Sequence, residues 1–114
     1  MTNPPKAKGT KFESALVAHI EAAGFPARRV ALTGARDQGD IHLHDGAGDR
    51  WVIEAKNRKG YDLPTAMRQL AAEKENAGAM LGVAILKRNG VGDVGRSFVV
   101  LELDDWLATL PRPL

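Results

Sequence analysis

Three residues in the middle of the chain carry the strongest chemical suggestion. Asp40, Glu54 and Lys56 lie on two short segments, Asp40–His44 and Arg50–Lys56, that both alternate polar and apolar residues with period two. Between them, Asp45-Gly46-Ala47-Gly48-Asp49 reads as a hairpin loop. A five-residue loop sets His44 opposite Arg50, His42 opposite Val52 and Asp40 opposite Glu54. Two carboxylates facing each other across strands repel, which disfavours the pair unless a cation compensates. Lys56 emerges two residues beyond Glu54, on the same face. A divalent ion supplies a reason for the cluster: Mg²⁺ takes oxygen ligands, often one or two carboxylates, with water and phosphate in its other positions. Such an ion polarises a phosphoryl oxygen and activates water, while a lysine can position that water or offset charge on the phosphate. The plainer alternative is a solvated salt-bridge face on a strand pair.

The elements that must position these residues follow from the pattern around them. Residues 1–9, with two prolines and a glycine, read as a flexible basic arm. Thr10 is a candidate N-cap, with Glu13 as its capping-box partner. Phe12, Leu16, Ile20 and Ala23 recur at helical spacing until Gly24. Arg28–Leu32 is a short strand and Thr33–Gly39 a polar loop. After the hairpin, Gly60–Pro64 breaks the chain, and Pro64 sits in the first turn of a second helix whose expected buried stripe is Leu63, Met67, Leu70 and Ala77. Met80–Leu86 is a continuous apolar run, as in a strand covered on both faces. Asn89–Gly95 is a loop, Ser97–Leu103 a last strand, and Asp104 a cap for a short helix over Asp105–Leu110. The order α-β-β-β-α-β-β-α describes an α/β sandwich with a mixed central β-sheet flanked by helices. Trp51 and Trp106 read as core anchors, and His19 as a structural residue beside the first helix's apolar stripe.

Composition narrows the function classes. At 114 residues, with 44% hydrophobic and 26% charged, the chain is one packed domain. With no Cys, disulfides, thiolate catalysis and Cys-ligated zinc are excluded, and a cytoplasmic location fits, in a bacterial cell or in a host cell if the source is viral. No apolar run is long enough to cross a bilayer, so no membrane partner is expected. The net charge of +2 is unevenly spread: residues 1–36 carry six basic side chains against Glu13 and Glu21. Lys6, Lys8, Lys11, Arg28, Arg29 and Arg36, with Arg58 and Lys59 past the hairpin, are candidate DNA-phosphate contacts, or else a solvated charged surface. His42 and His44 share Asp40's face, which leaves a histidine-based metal site conceivable. The Asn89–Gly95 loop lacks a GK[ST] ending and a following helix, so no nucleotide cofactor is expected.

At this point the sequence resembles a known family. Gly39-Asp40, thirteen residues, then Glu54-Ala55-Lys56 is similar to the PD-(D/E)XK nuclease signature, with Gln38-Gly39 where the proline of the name would stand. Lys8-Gly9-Thr10-Lys11-Phe12-Glu13 and Arg28-Arg29-Val30-Ala31-Leu32-Thr33-Gly34 resemble segments of the archaeal-type Holliday-junction resolvases of that superfamily, and the likeness runs from about Lys8 to Ala84. The resemblance implies a restriction-endonuclease-like sandwich, with residues 10–114 as a single nuclease domain. It implies Glu13, Asp40, Glu54 and the Ala55 carbonyl as metal ligands, Lys56 as the catalytic lysine and Gln69 as a supporting residue. Read from the residues alone, Glu13 remains open as a simple capping acid and Gln69 as an ordinary helix-surface residue. The expectation is a Mg²⁺-dependent endonuclease (Mn²⁺ a plausible substitute) that cuts branched DNA as a homodimer. The alternatives are another nuclease of the superfamily, acting on duplexes or flaps, and a DNA-binding module without turnover.

Overall fold

The computed structural model describes residues 4–31 and 36–114, with side chains from Lys8 onward. Its order is α1 (Pro4–Ala22), β1 (Ala27–Arg29), β2 (Ile41–His44), β3 (Arg50–Lys56), α2 (Leu63–Ala77), β4 (Leu81–Leu86), a 3₁₀ turn (Val94–Arg96), β5 (Phe98–Val100) and α3 (Leu103–Thr109). The five strands form one sheet in sequence order. β3 and β4 are parallel and the other pairs antiparallel. Only the parallel pair needs a crossover, and α2 supplies it. This is the α/β restriction-endonuclease-like architecture, a mixed sheet flanked by helices.

The two sheet faces are covered by different helices. Phe12 and Leu16 of α1 pack on Ile41, Ile53, Val83 and Ile85, the odd-numbered positions of β2, β3 and β4. The even-numbered face meets α2: a Cβ on Gly82 would lie 3.0 Å from Leu70 Cδ1 and 2.8 Å from Lys74 Cδ. Val52, Ala84, Leu86, Ala66 and Leu70 are buried there. Glu54 and Lys56 share the parity of Val52, so the hairpin presents them toward α2.

Several boundaries differ from the sequence reading. α1 begins at Pro4, so residues 4–9 are its first turns and not an arm, and Thr10 and Glu13 lie inside the helix and do not form a cap. Proline is well accommodated in a first turn, where its missing N–H leaves no bond unmade, and Gly9 costs only about 1 kcal/mol. Residues 1–3 and 32–35 lie outside the described residues, as do parts of the expected arm, strand and loop. β1 is confined to Ala27–Arg29. α2 is capped by Asp62, whose side chain accepts from the Thr65 N–H, with Pro64 in the first turn. Its buried stripe is Ala66, Leu70 and Glu73; Leu63 is 39% exposed. The last strand is three residues long, and α3 starts at Leu103, leaving Asp104 and Asp105 in its first turn, where they complement the helix dipole. Trp51 is half-buried and Trp106 is 49% exposed, so the second is no core anchor. Among the described residues no helix is long and apolar enough to cross a membrane.

Candidate active site

The β2–β3 register is the one that the loop length implies: Ile41 pairs Ile53, His42 pairs Val52, Leu43 pairs Trp51 and His44 pairs Arg50. Asp45 closes the turn by accepting from the Ala47 and Asp49 N–H groups, and its other oxygen accepts from Trp51 Nε1 at 2.9 Å. One step beyond the ladder, the Asp40 N–H donates to the Ile53 carbonyl at 3.0 Å, and Asp40's carbonyl accepts from the Val30 N–H at 2.9 Å. Its carboxylate Oδ2 accepts from the Ala55 N–H at 2.8 Å. Backbone groups of two neighbouring segments thus hold Asp40 across from Glu54.

The turn before Asp40 is held just as closely. Asp37 Oδ1 accepts from the Gly39 N–H, His42 Nε2 donates to the Gln38 carbonyl at 2.8 Å, and Asn76 of α2 donates to the Asp37 carbonyl at 2.8 Å. Gly39 has φ +95°, a region that side chains disfavour and proline's ring forbids. Glycine in place of the signature's proline is therefore what this turn requires. His42 is fully buried, and burial lowers its proton affinity. It acts as a clamp on the turn. His44, half-buried, faces Arg50 across the hairpin.

Glu54 is buried, 7% exposed, and its Oε1 lies 3.0 Å from Lys56 Nζ. Lys56 Nζ also donates to Gln69 Oε1 at 2.9 Å, so α2 and β3 hold the ammonium between them. The Asp40 carboxyl is pushed up to about 7, first by burial and second by the charge of Glu54, with the Ala55 N–H bond opposing. Removing Asp40's proton is thus costly until a cation compensates.

Glu73, on the third position of the α2 stripe, escaped the sequence reading. It is 3% exposed, and its proton affinity is raised far above the usual carboxylate range by burial and then by hydrogen bonding and charge from Glu54, with Asp37 adding to both. Buried Glu73 Oε1 and Glu54 Oε2 both lack a donor when every carboxylate is ionised, and a proton on Glu73 removes that conflict. The signal was present as an acid at the i+7 position of an otherwise apolar stripe, Ala66, Leu70, Glu73.

Asp40, Glu54, Ala55 and Lys56 line one open pocket with Lys8, Gly9 and Glu13 of α1, and with Asn57 and Arg58, about 510 Å³ in volume. Glu13 does not close on the other acids, because its Oε1 pairs with Arg29 Nε at 3.2 Å. Among the described residues no three acidic or histidine side chains converge tightly enough to hold a metal ion alone. Two carboxylates with room for water and phosphate nevertheless suit Mg²⁺, whose coordination is commonly completed in that way. Of the basic candidates, Lys8 and Arg58 line the pocket, while Lys11, Arg28, Arg36 and Lys59 are exposed outside it. The Lys6 side chain lies outside the described residues.

No protein-family model matches the sequence, and no curated protein matches it. Among solved structures, the chain is similar to Hjc, a Holliday junction resolvase from the archaeal hyperthermophile Archaeoglobus fulgidus. The TM-score is 0.57 at 28% identity, over 87% of this chain and 93% of that one. Through most of its length the chain resembles the archaeal-type Holliday-junction resolvases.

Proposed function

We propose that the protein is a Mg²⁺-dependent, structure-selective DNA endonuclease that resolves four-way junctions by paired phosphodiester cleavage, acting as a homodimer in the cytoplasm. The observation that carries this reading is the shared pocket of Asp40, Glu54 and Lys56 on a resolvase-like fold. When bound, Mg²⁺ (or Mn²⁺) would polarise the phosphate and acidify a nearby water. Asp40 and Glu54 would hold the ion, with the Ala55 carbonyl beside them. Lys56, steadied by Gln69, would orient the attacking water and offset the charge that builds on the phosphate. The water's oxygen bonds to phosphorus, one P–O ester bond breaks, and the strand ends as a hydroxyl and a phosphate monoester. Lys8 and Arg58 at the pocket rim would hold flanking phosphates.

Two observations support a dimer. The accessible surface, 7740 Å², exceeds the ~6,100 Å² expected for a compact 12.3 kDa monomer by about 1,600 Å², the scale a permanent interface buries per copy. An apolar groove of about 750 Å³, floored by Leu43, Trp51, Val83 and Val99, lies open on the α1 face. It is at the opposite end of β3 from Lys56, so a second copy seated there leaves the catalytic pocket free. The test is cleavage of a four-way junction with and without Mg²⁺. Paired nicks by the native protein and none by Glu54→Ala support the reading; strands left intact by the native protein reject it.

A further inference from the structure

The position of Glu13 raises a question that the proposed chemistry leaves open. Glu13 lines the same pocket as Asp40 and Glu54, yet it is turned to Arg29. The contact is a single Nε–Oε1 approach at 3.2 Å between side chains 45% and 20% exposed. An exposed ion pair of this kind shifts an equilibrium by no more than about fivefold. It also uses one of the five guanidinium N–H donors, leaving a fork suited to a phosphate. Arg29 itself is well anchored. It ends β1 paired to Ile41, and the next residue, Val30, donates to the Asp40 carbonyl. Only side chains have to move for the pairing to change.

We infer that Arg29 is a positioning residue that couples DNA binding to metal binding, holding Glu13 away in the free protein and yielding it to the Asp40–Glu54 pair when a DNA phosphate takes the guanidinium. The inference rests on the function proposed above and adds a regulation of the same site. Without DNA the pocket offers a cation two carboxylates; with DNA it offers three. Linkage makes the effect reciprocal, so the ion must tighten DNA binding by the same factor. The arrangement disfavours loading of the ion before the nucleic acid is in place.

The test is calcium binding by calorimetry on the full chain without DNA, where no phosphate can itself ligate the ion. Arg29→Gln is expected to bind Ca²⁺ about two- to fivefold more tightly than the native protein, the most that release of so exposed an ion pair can return. In a Glu13→Gln background the same Arg29 change should have no such effect. Arg28→Gln removes an equal charge from the adjacent position and separates release of Glu13 from a general gain in negative potential. Arg29→Lys, which keeps the charge, should stay close to native. A gain in Arg29→Gln that needs Glu13 and is absent in Arg28→Gln supports the inference. Native-like affinity in Arg29→Gln, an equal gain in Arg28→Gln, or a gain that survives Glu13→Gln each overturns it. Failure here with junction cleavage intact would remove only the coupling; calcium results as expected with no cleavage would remove the nuclease reading and keep the coupling.

Discussion

Gly39 lies so close to Val52 that a Cβ added to it would sit 2.5 Å from the valine's Cγ1, with the Ile53 carbonyl oxygen 3.5 Å away. Both contacts are on β3, the strand that carries Glu54 and Lys56, so the turn before Asp40 is fitted against the hairpin of the proposed site itself. Gly39→Ala must relieve the overlap and also hold a side chain at φ +95°. A left-handed backbone costs about 1–2 kcal/mol and overpacking about 1–3. The variant is therefore expected to lose about 2–5 kcal/mol in urea denaturation. Gly39→Pro, which restores the signature's residue, should be worse, since its ring fixes φ near −65°. A proline variant of native stability would show that this turn is not built as described.

Glu73 gives the protein an unusual dependence on pH. Its carboxyl binds a proton more tightly in the folded chain than the ordinary value of 4.5, because burial and Glu54 oppose its charge. The stability that this proton supports is therefore complete below about pH 4.5 and is lost as pH rises toward the raised folded value. Glu73→Gln stays neutral throughout and keeps a donor for Glu54. With chelator present, the native protein should lose stability relative to Glu73→Gln between pH 5 and 9, by at most about 1.4 kcal/mol per pH unit. Parallel stability curves for the two proteins would mean that Glu73 is not held as a neutral acid.

The contrast between Asp40 and Glu73 shows what a sequence can and cannot convey. The Asp40–Glu54 pairing was legible because strand alternation and loop length leave one register, and the observed ladder, with His42 on Val52 and His44 on Arg50, has it. Glu73 was not, because an acid in a helix stripe looks exposed until the stripe's rotation is known. That rotation follows from packing on Gly82, a long-range event. The start of α1 failed for a local reason: Pro4 and Pro5 read as breakers, although the first turn of a helix accepts proline. Trp106 failed for another: its size suggests a core, yet α3 buries none of its residues within the chain.

Lys56 and Gln69 should separate in kinetics. Lys56→Arg keeps a cation beside Glu54 but replaces a compact ammonium with a broad, planar guanidinium that cannot take the same place between Glu54 and Gln69. Junction cleavage is therefore expected to fall by about 10²–10³-fold in kcat, with folding preserved. Gln69→Ala leaves the ammonium in place and removes the acceptor 2.9 Å from it, so a smaller loss of about 10–100-fold is expected, as for supporting groups elsewhere. Single-turnover cleavage at saturating protein measures both. Full activity in Lys56→Arg would show that any cation beside Glu54 serves, whatever its shape.

Val99 tests the proposed dimer surface with little risk to the fold. It is 56% exposed and lines the open groove, while neighbouring Phe98, Leu103, Trp106, Leu107 and Leu110 are also exposed. A charge at an already exposed strand position costs an isolated chain about 0.5 kcal/mol or less. Buried between two copies, the same charge appears twice around a two-fold axis, without a partner, and each removal from water costs several kcal/mol. Val99→Glu is therefore expected to sediment as a monomer at micromolar concentration where the native chain sediments at twice its 12.3 kDa mass. Its circular dichroism should be unchanged. The monomer should also show lower thermal stability that no longer depends on protein concentration, because mass action ties a dimer's melting temperature to concentration. A Val99→Glu protein that remains dimeric would move the interface away from the groove, and a native chain that sediments as a monomer would remove the dimer altogether.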